Sequence, residues 1–352
     1  MERSDIRGLT ETELEELCRS LGKPAFRGRQ IFDWVQNKAV GGWREMRNIS
    51  AEDQKTFQER LFFQPLALKK EQRSQDGTRK YLFQLPDGEA VECVLMNYDR
   101  RKHRDRRTVC LSTQVGCPVG CVFCATGQEG FTRNLTVGEI LGQALDICRL
   151  LRAEDPEFSL TNVVFMGMGE PFLNYDQVIK AIRILNHERG QKIGMRRITV
   201  STSGIAPRIL DLARDNDQVG LAVSLHAASD EERDALMPVN RRYPLEELMR
   251  ACQEYTALTR RRITFEVALT AGQGSKETAR RLALLLREQL GHVNLIPINP
   301  VAGSGLKRPL TEEVAEFASL LTQAGIPVSI REEKGTDIDA ACGQLRQRRE
   351  ES

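Results

Sequence analysis

Between Thr108 and Pro300 six short β-branched or apolar runs (TVCLSTQVG, NVVFMGMG, RRITVSTSG, VGLAVSLHA, ITFEVALT and NLIPINP) alternate with segments patterned as helices. Such alternation is how parallel strands with helical crossovers are written, so the fold class is α/β, and an open or closed barrel is the natural arrangement. The helix after the first run carries its own start signal. Thr136 and Glu139 are spaced as a capping box, and Val137, Ile140, Leu141, Ala144, Leu145 and Cys148 repeat at the helical period up to Leu151. A second helix is predicted over Tyr175 to His187.

Upstream the rhythm differs. Residues 1–60 read as a small helical accessory domain, with Thr10 and Glu13 spaced as a capping box ahead of Leu14, Leu17 and Cys18, and a further helix around Arg29 to Asn37. Residues 61–100 read as a small antiparallel meander and linker, because short alternating stretches are broken by Asp76-Gly77 and Asp87-Gly88 turns. Its surface is expected to carry Lys69, Lys70, Arg73, Arg79 and Lys80. The main α/β domain spans 101–345, and 346–352 is a basic tail.

A chain of 352 residues has room for one barrel-sized enzyme domain plus this smaller one. With 40% apolar and 28% charged residues it is neither disordered nor fibrous. No run approaches the roughly 18 apolar residues of a membrane span, and MERSDIRGLTETELEE is too acidic for a signal peptide. A cytoplasmic protein with no membrane partner is expected. Net charge is only +2, so nucleic-acid affinity has to come from local clusters: Arg101 to Arg107 (RKHRDRR), Arg260 to Arg262, and Arg346, Arg348 and Arg349. Each cluster taken alone is more simply a solvated loop or helix end.

Nine cysteines, an odd number, do not suit a disulfide framework in a reducing compartment. Cys18, Cys148 and Cys252 fall on apolar helical stripes, the last with Leu245, Leu248 and Met249, and read as core side chains. Cys117, Cys121 and Cys124 place three thiols in eight residues just after a predicted strand. A zinc site would need a fourth, distant ligand, and no second Cys-X2-Cys half is present. Three thiolates on a [4Fe-4S] cluster leave one iron open to a ligand such as the amino and carboxylate groups of S-adenosylmethionine (SAM). In a parallel barrel the active groups collect at the carboxyl ends of strands. Those ends carry Gly167-Met168-Gly169-Glu170-Pro171, Ser201-Thr202-Ser203-Gly204, Ser224-Leu225-His226 and Asn299-Pro300.

The Cys-X3-Cys-X2-Cys spacing is similar to that of the radical SAM enzymes. The stretch CLSTQVGCPVGCVFCATGQEGFTRNLTVGEILGQ, together with MGMGEP, VSTSG, SLH, NLIPINP, DIDAACGQL and PAFRGRQIFDW, resembles the dual-specificity rRNA and tRNA adenine-C2 methyltransferases over nearly the whole chain. The resemblance implies a partial (β/α)6 barrel with an RNA-contacting amino-terminal extension. It implies one [4Fe-4S] cluster on Cys117, Cys121 and Cys124, and two SAM molecules per turnover. Gly169, Glu170, Ser201, Ser224, Leu225, His226 and Asn299 would contact SAM. Cys342 would take a methyl group from one SAM. A radical from the second would remove hydrogen from it, and the resulting methylene would add to adenine. Glu92, in Val91-Glu92-Cys93-Val94, would then remove the ring proton. Cys110 would attack the Cys342 sulfur, ending the cycle as a transient disulfide. Cys93 is expected only to pack beside Glu92. Implied partners are 23S rRNA, tRNA and an electron donor such as flavodoxin or ferredoxin, with the chain itself a monomer. Three other readings stand beside this one: a methyltransferase acting on C8 of the same adenine, an RNA-binding iron-sulfur protein without enzymatic activity, and a radical SAM enzyme that modifies peptides.

Overall fold

The computed structural model describes residues 3–98, 106–215 and 218–346. At the amino end β1 (Ser4–Asp5) leads into α1 (Glu11–Ser20), α2 (Phe26–Phe32) and α3 (Ala51–Gln58), and β2 (Leu61–Phe62) returns to pair parallel with β1. The Thr10–Glu13 capping box is formed. The second helix starts three residues earlier than its pattern suggests and runs on as a π-helical turn over Asp33–Asn37. The next three strands, β3 (Ala67–Arg73), β4 (Arg79–Gln84) and β5 (Ala90–Tyr98), form the antiparallel meander, with glycines 77 and 88 at positive φ in its turns. Lys80 departs from expectation. Its side chain points inward and is only 2% exposed, because it meets the buried Glu92 carboxylate.

The first apolar run splits in two. β6 (Arg106–Cys110) lies in the main sheet, whereas β7 (Gln114–Gly116) leaves it to form a hairpin with β8 (Phe131–Asn134), and the short α4 (Ala125–Gln128) sits between them. Cys110 and the three clustered cysteines therefore follow different strands. The break has a local cause. At Ser112 the strand ladder gives way to side chains: Gln143 accepts from the Ser112 N–H at 2.9 Å and donates to its carbonyl at 2.9 Å, and the Ser112 hydroxyl donates to the Glu92 carbonyl.

Regular alternation follows: α5 (Val137–Glu154), β9 (Asn162–Phe165), α6 (Tyr175–Asn186), β10 (Ile198–Thr202), α7 (Ala206–Asp215), β11 (Gly220–Ser224), α8 (Asp230–Leu236), α9 (Leu245–Thr259), β12 (Ile263–Leu269), α10 (Lys276–Leu286), β13 (Gly291–Pro297), α11 (Thr311–Gln323) and β14 (Val328–Ile330). The strands lie in the order β14-β13-β12-β11-β10-β9-β6-β5-β4-β3. Every neighbouring pair from β14 to β6 is parallel, and β6 to β3 is antiparallel. The meander is thus the continuation of the parallel sheet. β14, a short edge strand, is a seventh parallel strand beyond the six that the sequence pattern marks.

Cys18, Cys148 and Cys252 are core side chains as their stripes predict, each 1% exposed or less. Arg7 fastens the amino-terminal segment to α5. Its fully buried guanidinium lies 3.3 Å from both Asp5 and the α5 residue Asp146, and Asp146 also accepts the Leu66 N–H at 2.9 Å. Among the described residues no helix is long and apolar enough to cross a membrane.

Candidate active site

The β7–β8 hairpin presents the three cysteines. At Gly116 the strands approach so closely that a Cβ would collide with the Gly130 carbonyl, and the Cys117 N–H donates to that same carbonyl at 2.7 Å. Cys117, Cys121 and Cys124 are half-buried, and all three line one cavity. Burial pushes the Cys117 thiol up to about 12 and raises the other two. Amides of Thr126 and Gly127 aimed at Cys124 work against this. Among the described residues no three His, Cys, Asp or Glu side chains converge on a single-ion site. Three soft thiols spread around one cavity fit a cluster that takes one thiolate per iron corner.

Facing the thiols are the carboxyl ends of β9, β10, β11 and β13. Gly167, Gly169, Glu170, Ser201, Ser203, Ser224, His226 and Asn299 all line the cavity. Gly169 has φ +101°, and a Cβ there would stand 2.6 Å from the Gln114 side chain, so the position admits only glycine. Glu170 is 3% exposed, and each carboxylate oxygen already accepts one backbone N–H, from Phe172 at 3.0 Å and from Ser203 at 2.6 Å. Burial raises its pKa, and those hydrogen bonds oppose the shift. The Ser203 and Thr202 hydroxyls beside the carboxylate act in the same direction, and Ser203 is buried at the cavity wall.

His226 adopts φ +60° and packs edge-on against Phe123 of the cysteine loop, with ring centroids 4.7 Å apart. Its Nδ1 accepts the Ala268 N–H at 2.9 Å. Burial, and to a lesser extent Arg233, push its pKa down to about 3, so the ring is neutral with its proton on Nε2. It is satisfied on one side and a donor on the other. Leu225, by contrast, is wholly buried and does not line the cavity; its backbone N–H donates to the Glu266 carbonyl and its own carbonyl accepts from Arg233. Asn299 is oriented by Arg308, which donates to Oδ1 at 3.0 Å.

A second compartment opens beside the first and shares Met166, Ile296, Asn299, Arg331 and Cys342 with it. Its remaining wall includes Val94, Tyr98 and Cys110. The Cys110 thiol is buried and pushed up to about 12, first by desolvation and then by the neighbouring Cys342. Both are free thiols. Glu92 lies on the same face of β5 as Val94 but outside the walls of both compartments. It pairs with Lys80 at 3.1 Å and accepts the Arg346 N–H at 3.0 Å. Cys93, on the opposite face, is fully buried.

Sequence reasoning misses three residues here. Arg233 is fully buried and donates to the carbonyls of Ser203, Ser224 and Leu225 at 2.6, 3.0 and 3.1 Å, tying together two strand ends of the site. Arg331 stands between the two compartments beside Cys342 and 3.7 Å from Glu266, itself 4% exposed. In the sequence all three resemble solvated charges, and nothing local distinguishes them.

Residues 111–284 match the model of the radical SAM superfamily, and residues 4–62 match the ribosomal RNA large subunit methyltransferase N-terminal domain. A protein of Desulfitobacterium hafniense named "Probable dual-specificity RNA methyltransferase RlmN" is 63% identical over 350 residues, covering 99% of this chain and 98% of its own. One of the same name from Thermotoga maritima is 45% identical over 349 residues, covering 98% of each. The crystal structure of a radical SAM methyltransferase from Sphaerobacter thermophilus superposes with a TM-score of 0.92 at 47% identity, covering 97% of this chain and 99% of that one. The chain belongs to the RlmN family of radical SAM methyltransferases.

Proposed function

We propose that this protein methylates C2 of one adenosine in the peptidyl-transferase region of 23S rRNA and of the adenosine beside the anticodon in some tRNAs, acting as a monomer in the cytoplasm. The observation that carries the reading is the pair of thiols, Cys110 and Cys342, in a compartment that opens onto the three-cysteine cavity. A plain methyltransferase needs neither thiol, and an RNA-binding iron-sulfur protein gives them no task. The names of the relatives at 45–63% identity support RNA as the substrate class.

Cys117, Cys121 and Cys124 would hold one [4Fe-4S] cluster per chain. When bound, the cluster supplies the electron, drawn from a flavodoxin- or ferredoxin-like donor, that makes SAM a radical source. Gly169 lets the backbone approach the SAM amino acid end, while Glu170 offers acceptors to its ammonium. Ser201, Ser224, His226 and Asn299 line the side that sugar, base or carboxylate would occupy, and Leu225, buried between Ser224 and His226, would act only through the placement of its neighbours. Two SAM molecules serve each turnover. For the first, the Cys342 thiol loses its proton and its sulfur displaces the sulfonium methyl. A radical from the second SAM would remove one hydrogen atom from the S-methyl group, the carbon would join adenine C2, and with one electron given up to the bound cluster Glu92 would take the ring proton. The Cys110 thiol then gives up its proton and its sulfur attacks the Cys342 sulfur; the carbon leaves with the electron pair of the S–C bond and takes up a proton to become the methyl group, and the Cys110–Cys342 disulfide that remains must be reopened by a cellular thiol reductant.

Anaerobically reconstituted protein given SAM, a reductant and an rRNA fragment should yield 5′-deoxyadenosine, S-adenosylhomocysteine and, after nuclease digestion, 2-methyladenosine. Recovery of 8-methyladenosine instead would transfer the assignment to the C8 reaction. SAM cleavage with no methyl on RNA would contradict both.

A further inference from the structure

Lys80 and Glu92 form an ion pair at 3.1 Å, with side chains only 2% and 3% exposed. Each partner also reaches the chain that carries Cys342. Lys80 Nζ donates to the Asp339 carbonyl at 3.0 Å, and Glu92 Oε2 accepts the Arg346 N–H at 3.0 Å. The two attachment points bracket Ala340 to Leu345, with Cys342 between them.

We infer that the Lys80–Glu92 pair is a clasp that positions the Cys342 segment over the sheet. The segment has little regular structure of its own: it follows a short 3-10 turn at Thr336–Ile338, and Asp339 and Gly343 both have positive φ. It depends on outside partners. Before it, the Asp76 carboxylate accepts the Gly335 N–H at 3.0 Å and Asp337 accepts the Gln75 N–H at 3.2 Å, pinning its approach to the β3–β4 turn. On the cysteine-loop side, Ala125 N–H donates to the Gly343 carbonyl at 2.7 Å and Thr126 Oγ to that of Leu345 at 2.6 Å. The sheet side is held by the clasp. A buried ion pair earns its desolvation cost only when further hydrogen bonds complete it, and here those bonds go to this segment.

The second consequence rests on the reading of Glu92 as base. The carboxylate that closes the clasp is the one that would receive the proton from adenine C2. Once protonated, Glu92 loses its charge toward Lys80, and one oxygen becomes a donor, so the clasp weakens at both ends. The segment would loosen just when the Cys342 sulfur has to be reached by Cys110. Lys80 is therefore a positioning residue, and Glu92 holds that role in addition to its proposed catalytic one.

Hydrogen exchange read by mass spectrometry on the full-length, anaerobically reconstituted protein tests this, with Lys80→Met removing the cation and Glu92→Gln mimicking the neutral carboxyl at the same size. Exchange in the peptide spanning 339–346 should quicken at least about tenfold in both, as loss of a buried charge partner implies, while the β12 and β13 peptides keep wild-type protection. Methyl loading of Cys342 from SAM should slow in both. If Lys80→Met fails to fold, Glu92→Gln carries the test alone. Wild-type exchange at 339–346, or an equal rise across all the strands, would overturn the clasp. A wild-type protein that never carries a methyl on Cys342 would remove the proposed mechanism while leaving the clasp standing on the exchange result.

Discussion

At residue 169 the backbone turns through φ +101° with the Gln114 side chain where a Cβ would go, so Gly169→Ala meets both strain and a collision. A non-glycine residue in such a conformation costs on the order of 1–3 kcal/mol before any steric term. We expect Gly169→Ala to lower the denaturant midpoint and to weaken SAM binding by more than its stability loss accounts for. Calorimetric titration with SAM checks this, and unaltered affinity would remove Gly169 from the site. His226 makes a prediction in pH. An unfolded histidine gains its proton near 6.5, whereas folded His226 stays neutral until about 3, so between those values the unfolded state binds more protons. The stability this contributes is complete above 6.5 and is lost as pH falls toward 3. The ¹⁵N resonances of His226 should keep the Nε2–H pattern through the range where an ordinary histidine titrates, and a normal titration would contradict the buried, Ala268-bonded ring. At this scale the sequence is readable where chemistry is concentrated, as in Cys117 to Cys124 and Gly169-Glu170. It is silent where function comes from burial. Arg233, Glu266 and Arg331 acquire their meaning from partners on distant strands, and Lys80 looks like a surface lysine until β4 is placed against β5.

Among the elements, those that carry their own termination signals are the ones the sequence delimits well. Thr136 and Glu139 form the predicted capping box at the start of α5, and Thr136→Ala should cost about 1 kcal/mol, read as a shift in denaturant midpoint at unchanged slope. Boundaries set by tertiary contacts are not legible. The run TVCLSTQVG reads as one strand, but Gln143, reaching over from α5, takes both backbone groups of Ser112 and divides it. The short edge strand β14 has too few residues to show a period. Arg233 on α8 replaces missing ladder bonds at the ends of β10 and β11. Truncating it to Met should strand three carbonyls and destabilise the protein by about 3 kcal/mol or more, with SAM affinity falling because Ser203 and Ser224 lose their anchor. A fully stable Arg233→Met protein with unchanged affinity would contradict that role.

On the scale of the whole molecule, one ten-stranded sheet carries both the meander with Glu92 and the strand ends that face the three cysteines. This continuity is what brings residues 110 and 342, far apart in the chain, to one compartment, with Glu92 on the neighbouring strand β5 outside its wall, and alternation in sequence shows the strands without showing their order. The basic clusters are less legible still. Residues 101–105, 348 and 349 lie outside the described residues. Arg106 and Arg107, at the start of β6, are engaged over the Tyr98 and Phe158 rings. With a net charge of only +2, RNA affinity should depend on such local patches. Charge reversal across 101–107 should weaken RNA binding and flatten its salt dependence, with less effect on turnover at saturating RNA; an unaltered salt slope would make this cluster an ordinary solvated loop.

In the proposed reaction Cys342 carries the methyl carbon and Cys110 frees the product, so the two thiols should fail differently when removed. Without Cys342 there is no carrier, so neither methylated protein nor methylated RNA can form. Without Cys110 the earlier steps remain possible and only the release is missing. The most direct measurement is mass spectrometry of the carboxyl-terminal peptide from nuclease-trimmed Cys110→Ala and Cys342→Ala proteins expressed in cells. An adenosine joined through one carbon to Cys342 is expected in Cys110→Ala, and no such increment in Cys342→Ala. Free methyladenosine at normal yield from Cys110→Ala, with no adduct on Cys342, would contradict it.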